Sequence, residues 1–336
     1  MEGDFLKAKI YNMKNKNRNV LGEVVPLATP YIVVVEPSGF CNLKCVFCPI
    51  NDDKYKNTIK RKFMEFKLFK KLVEDIKYFP NKLKVLRFIG NGEPLMNSSI
   101  VEMIKYAKKK EIAEKIEITT NGTLLNHSLS ESLINSGLDI LKISVEALNE
   151  KDFFEIAKYK INMVDYINNI KFFYLNRKQC RVYIKINNLA LKSDKEEKEF
   201  FSTYGDYADE IFIENISPVW PNFDNGLNLK YSRGRFGNVV FERKICSHIF
   251  KSITVCADGE VIPCCADWQR KLKIGDITNE SLIDIWGKGN LNRLQNLHLT
   301  KGKKSFSPCK ECLYNEYCDD DILDEYELDI LKRMEK

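Results

Sequence analysis

Residues 31–36 read Tyr-Ile-Val-Val-Val-Glu, an apolar and β-branched run without polar alternation. A strand that is apolar on both faces has to be covered on both, which places it inside a parallel sheet flanked by helices. The sequence downstream is organised to match. Phe69, Leu72, Val73 and Ile76 recur at i, i+3, i+4 and i+7, one apolar helical face. Pro80 and Asn81 stop that helix, and Leu83–Ile89 reads as a second strand, broken by Gly90-Asn-Gly-Glu-Pro94. Ser99 with Glu102 suggests a capping box for a helix carrying Ile100, Met103, Ile104 and Ala107.

The alternation continues with strands expected at 115–120, 138–145, 181–187 and 210–214, and helices at 129–136, 150–176 and 193–203. Repeated right-handed βαβ units follow from this order. The expected class is α/β, a partial parallel (β/α) barrel of six strands, with an open doubly wound sheet as the alternative. In both, chemistry gathers at the C-terminal ends of the strands. Residues 216–245 contain Pro218, Pro221, Gly226, Gly234 and Gly237 with little periodicity, and read as a linker or active-site loop. After them Ser252–Val255 and Glu260–Pro263 flank Asp258-Gly259, a short hairpin signal. The expected division is a lead-in at 1–28, a core at 29–225, a linker at 226–245, a second domain at 246–325 and a tail at 326–336.

Three cysteines within one eight-residue stretch, Cys41, Cys45 and Cys48, follow the first strand at spacings that let one loop turn three thiolates toward one centre. Three ligands on a four-metal cluster leave one metal open, as catalysis requires. Zinc is the alternative, although zinc motifs usually offer paired two-residue spacings totalling four ligands. The chain holds 11 cysteines, and neither a signal peptide nor an apolar run near the ~20 residues of a membrane span is evident. A cytoplasmic location follows as the expectation, and with it metal chemistry rather than disulfides. The net charge of +6 is scattered among acidic residues, so neither nucleic acid nor membrane is expected as a partner.

Cys-x3-Cys-x2-Cys after the first strand, with Phe47 just before the third cysteine, resembles the radical S-adenosylmethionine (SAM) superfamily. The resemblance implies a 4Fe–4S cluster on Cys41, Cys45 and Cys48, whose open iron takes the amino and carboxylate groups of SAM. Reductive cleavage of SAM then gives a 5′-deoxyadenosyl radical that abstracts a substrate hydrogen. A reducing partner such as flavodoxin or ferredoxin is implied with it. Gly90–Pro94 resembles the family's Gly-Gly-Glu-Pro motif, with Asn91 where a glycine often stands. By the same resemblance Gly92 and Glu93 would meet the SAM ammonium, Asn121 and Ser144 would make polar contacts to SAM, and Asn187 would reach the ribose or substrate. Phe47 would lie near the adenine.

A second set, Cys246-x12-Gly259-x4-Cys264 followed by Cys309-x2-Cys312, resembles the SPASM/twitch extension, a small α+β iron–sulfur domain. One auxiliary 4Fe–4S cluster on Cys246, Cys264, Cys309 and Cys312 is expected. Cys318 continues the longer two-cluster pattern, but residue 322 is Ile and no cysteine follows. Cys256, Cys265 and Cys318 remain, with Cys265 as the candidate catalytic thiol that would return a hydrogen atom to a substrate radical. The shorter arrangement resembles 2-deoxy-scyllo-inosamine dehydrogenase-like members, which implies oxidation of a carbohydrate or cyclitol alcohol with the auxiliary cluster as electron acceptor. Peptide modification, such as epimerisation, is the rival enzymatic reading, and a non-catalytic iron–sulfur or zinc scaffold the rival of another class. Reconstituted protein is expected to hold about eight irons, and the Cys41/Cys45/Cys48 triple alanine variant about four, by iron assay. Iron unchanged in the variant would refute the first assignment.

Overall fold

The computed structural model describes residues 7–10, 19–224, 226–227, 232–318 and 321–335. Among them ten strands form one sheet: β1 (Lys9–Ile10), β2 (Ile32–Val35), β3 (Leu83–Phe88), β4 (Ala113–Thr120), β5 (Ile140–Val145), β6 (Arg181–Asn187), β7 (Glu210–Glu214), β8 (Ser252–Val255), β9 (Glu260–Ile262) and β10 (Gly275–Asp276). Their order is β1-β7-β6-β5-β4-β3-β2-β8-β9-β10. Strands β2 to β7 are mutually parallel in sequence order, the six-strand arrangement of a partial barrel with helices between successive strands. Val33, Val34 and Val35 are fully covered, which is what their unbroken apolar run demanded.

Two features extend the sheet beyond six strands. Lys9–Ile10 lies parallel to β7, so part of the lead-in supplies an edge strand. On the other side β8 pairs parallel with β2, Ile32 opposite Ser252 and Val35 opposite Val255. The β8–β9 hairpin turns at Gly259, whose φ of +97° is open to glycine and strained for other residues. The C-terminal hairpin therefore grows directly from the first barrel strand.

The helices keep their expected places with two corrections. The stretch 150–176 is two helices, Glu150–Ala157 and Met163–Asn176. Lys158 ends the first in the left-handed region, and the Asn162 side chain caps the second by accepting from Val164 and Asp165 N–H. The Ser99 capping box does not form. Buried Asn97 spends its amide on Pro37 and Met64 carbonyls and its oxygen on the Ser99 N–H, and Ser99 sits at φ −91°, ψ 6°, outside the extended geometry a cap needs.

The main core runs from Val33, Leu86, Phe88 and Ile143 through to Ile253, Val261, Ile277 and Trp286, crossing from barrel to hairpin. A second core joins the two ends of the chain: Leu21 and Val25 pack with Phe250, Leu294, Leu299, Leu323 and Ile330. Among the described residues no helix is long and apolar enough to cross a membrane. Leu299 is fully buried in the second core, so Leu299→Ala is expected to cost about 2–5 kcal/mol in denaturant unfolding. A cost below about 1 kcal/mol would show that this core contributes little.

Candidate cluster and substrate site

Parallel strands release their loops at one end of the sheet, and the site is built there. The cysteine loop follows β2 through Glu36 and Ser38. Its backbone meets the Gly90–Pro94 turn after β3: Glu93 N–H donates to Phe40 O at 2.8 Å. A Cβ on Gly92 would stand 2.1 Å from Ser38 O and 2.5 Å from Phe40 O, so only glycine permits this approach. Cys41, Cys45 and Cys48 are half-buried and none is in a disulfide. Burial pushes the Cys41 thiol up to about 11 and the Cys48 thiol up to about 12. Burial alone favours the neutral thiols, and a bound metal would hold them as thiolates. Three clustered thiols on one loop fit a cluster that leaves one iron free.

Glu93 is buried and anchored from three sides. Its Oε1 accepts from Leu95 N–H at 3.0 Å and Thr120 Oγ1 at 2.6 Å, and its Oε2 from Asn121 N–H at 2.9 Å. Asn121 turns its amide nitrogen to Asn42 Oδ1 at 3.1 Å and lies 3.9 Å from Cys41 Sγ, while Asn42 donates to Thr123 at 2.8 Å. Gly92, Glu93 and Asn121 thus surround the root of the cysteine loop. Asn42, Thr120 and Thr123 join them there, and their sequence signal was only their place beside the motif residues.

Phe47, Ser144 and Asn187 instead line a cavity of about 460 Å³ next to Cys48. Glu146, Lys185, Glu214, Arg235, Trp220 and Phe223 complete much of its wall. Ser144 and Glu146, like Lys185 and Asn187, are two residues apart on one strand or its end, so period-2 reasoning from Ser144 and Asn187 points to both. Arg235 and Trp220 come from the irregular 216–245 segment and carried no such signal. Trp268 donates its indole N–H to Pro221 O at 2.8 Å, tying that segment to the C-terminal part of the chain.

The cavity's charges are unequally compensated. Glu214 is paired with both Lys185 and Arg235. Glu146, 7% exposed, has a long contact from Asn187 Nδ2 at 3.4 Å. Burial pushes its carboxyl up to about 7, against the opposing pull of Lys185. Deeper in the barrel Glu117 is held by Arg87 at 2.6 Å and Lys142 at 2.9 Å.

The second cysteine set converges as well. Cys246, Cys264, Cys309 and Cys312, from three separate stretches, line one small space with Asp267, Lys303 and Asn315. Lys303, 2% exposed, bonds Cys312 O at 2.6 Å and pairs with Glu316 at 2.7 Å, fixing the Cys309–Cys312 turn. His298 is kept neutral, its pKa lowered to about 3 by burial and then Lys303, and its Nδ1 accepts from Cys246 N–H at 3.3 Å. Four thiols around one space fit a second cluster. Cys265 lies outside both cavity linings, its Sγ within 4.8 Å of Cys264 and His248.

Residues 35–189 match the model of the radical SAM superfamily, and residues 246–313 that of an iron–sulfur cluster-binding domain, SPASM. The tungsten-containing aldehyde ferredoxin oxidoreductase cofactor-modifying protein of Pyrococcus furiosus is 24% identical over 327 residues, 85% of this chain and 88% of that protein. The GTP 3′,8-cyclase of Chlorobaculum tepidum is 29% identical over 147 residues, 44% of this chain and 42% of the cyclase, so the likeness spans under half of either. Among solved structures, Streptococcus suis SuiB bound to S-adenosylmethionine is similar with a TM-score of 0.64, at 19% identity over 89% of this chain and 74% of that one. BtrN, solved with AdoMet and 2-DOIA, has a TM-score of 0.56 at 16% identity over 87% of this chain and 96% of that one. With three thiols at the head of a partial barrel and a four-thiol set gathered beyond it, the chain carries a radical SAM domain at residues 35–189 and a SPASM iron–sulfur cluster-binding domain at residues 246–313.

Proposed function

We propose that the protein oxidises an alcohol of a small polar molecule, a carbohydrate or cyclitol, in the cavity beside Cys48. The observation that carries this reading is the cavity itself. Its volume of about 460 Å³ is of small-molecule scale, and polar and charged side chains line it at the strand ends. When bound, the cluster on Cys41, Cys45 and Cys48 supplies, with SAM, a hydrogen-abstracting radical, and the auxiliary cluster an electron acceptor.

The chain's own residues supply the rest. Converting a carbinol to a ketone removes one hydrogen atom, one proton and one electron. Glu146 is the cavity group suited to take the proton, because a carboxyl titrating near neutrality can be both ionised at working pH and basic enough to accept. Ser144 lines the cavity as the expected SAM contact, Asn187 is placed to orient the ribose or a substrate hydroxyl, and Trp220 and Phe223 add aromatic wall. Two relatives support a small-molecule substrate by name, one a cofactor-modifying protein and the other a cyclase of GTP. Peptide modification is the second reading, favoured by the likeness to SuiB, also solved with its precursor peptide SuiA. In it Cys265 would return a hydrogen atom, which requires a path from its position beside His248 to the substrate.

The base assignment gives a signed pH dependence. Ionised Glu146 is the active form, so turnover is expected to rise with pH through about 7 and to level off above it. Glu146→Gln should lose that limb and about 10²–10⁴-fold in rate, while still releasing 5′-deoxyadenosine from SAM under dithionite. Panels of cyclitols, sugars and short peptides, with products weighed after reaction in deuterated water, separate the readings. A loss of two mass units marks oxidation, whereas a gain of one marks thiol-mediated epimerisation and would overturn the alcohol assignment.

A further inference from the structure

Glu36 follows β2 immediately and begins the path to Cys41. It is 2% exposed, yet it is a carboxylate at the centre of three segments. Its Oε2 accepts from Asn91 N–H at 3.1 Å, in the turn after β3. Its Oε1 accepts from Arg270 Nη2 at 2.8 Å and from Ala257 N–H at 3.4 Å, both in the SPASM region. Gly90 presses on it, since a Cβ there would come within 2.5 Å of Glu36 Cγ.

Arg270 is the other half of this junction. Its side chain is 4% exposed, and its second nitrogen, Nη1, bonds Asp258 at 2.8 Å and Glu260 at 3.5 Å on the β8–β9 hairpin. Its backbone sits at φ +52°, a conformation that costs a non-glycine residue and persists only where surrounding contacts impose it. One guanidinium thus joins the hairpin carboxylates to the residue from which the cysteine loop departs. The Gly92 backbone rests on Ser38 and Phe40 of that same loop, so displacement of Glu36 is passed to Cys41 and Glu93 together.

We propose that Arg270 is a positioning residue through which the SPASM region holds the SAM-binding site in register, by clamping Glu36 between the β8–β9 hairpin and the Gly90–Pro94 turn. This rests on the reading that Cys41, Cys45 and Cys48 hold the SAM-binding cluster. Removing the guanidinium leaves a buried carboxylate without its counter-charge, so Glu36 must shift or recruit water. A lysine keeps the charge, but its single nitrogen cannot offer Glu36 and Asp258 separate donors in the guanidinium's fixed fork.

The test uses the reconstituted full-length protein, with iron content, thermal melting and anaerobic equilibrium dialysis of SAM as readouts. Arg270→Met is expected to retain both clusters while binding SAM about tenfold or more weakly. Arg270→Lys should be intermediate, and Glu36→Gln weakened as well. Arg270→Met combined with Glu36→Gln should lose less than the two effects summed, because position 36 then carries no charge to be left unpaired. Leu299→Ala, in the second core, should lower the melting temperature and leave SAM affinity unchanged. Unchanged SAM affinity in a cluster-replete Arg270→Met protein would overturn the proposal. So would Leu299→Ala weakening SAM as much as Arg270→Met, which would make the effect one of general stability. Should Arg270→Met not fold, unchanged affinity in both Arg270→Lys and Glu36→Gln overturns it. Wild-type protein with intact clusters that fails to bind SAM would instead remove the site assignment beneath it.

Discussion

Everything at the site depends on β2 being paired in parallel on both sides, with β3 along Ile32–Val35 and with β8 along the same residues. Parallel pairing sends the loops after all three strands out of one end of the sheet. The cysteine loop, the Gly90–Pro94 turn and the start of the β8–β9 hairpin therefore meet without further design. The backbone polar groups of β2 are satisfied on both edges and its valines are covered on both faces, so the strand has little room to shift. A rigid anchor of this kind is what a metal-binding loop needs, because ligand placement inherits the precision of the element beneath it.

The second organising constraint is charge inside the barrel. Arg87, Glu117 and Lys142 form one cation–anion–cation set across β3, β4 and β5, and Lys185, Glu214 and Arg235 form another between β6, β7 and the loop beyond. Buried ion pairs gain little over apolar packing, but breaking one by removing a partner costs about 3–5 kcal/mol. These sets keep a polar lumen ordered. Against them Glu146 has no ion pair among the described residues, and burial outweighs the pull of Lys185, which is why its proton affinity rises.

The legible parts of the fold were those with strong local patterns. The six core strands and the hairpin could be read because apolar runs and an Asp-Gly turn are encoded by neighbours in sequence. The Ser99 cap failed because Asn97, two residues away, had been claimed by tertiary contacts with Pro37 and Met64. The break between Ala157 and Met163 was carried by Asn162 and passed over in a long apolar pattern. Edge strand β1 is two residues long and has no pattern of its own; its pairing with β7 is what defines it.

The cysteine sets were the plainest candidates in the sequence, because metal chemistry admits few residue types and close spacing points to a shared centre. The sequence by itself determined that a three-thiol loop follows a covered strand, that seven further cysteines, four of them in a ligand-like set, follow residue 245, and that turns of glycine and asparagine end the strands between. Only the tertiary structure decided which polar groups face the cavity and which support the loop. It placed Ser144, Asn187 and Phe47 on the cavity wall, and Glu93 and Asn121 behind the cysteines. It also brought Arg270 to Glu36 across 234 positions of sequence. The physical reason is that a ligand set is written in residue identity. The burial and pairing of a carboxylate depend instead on which distant segments close over it.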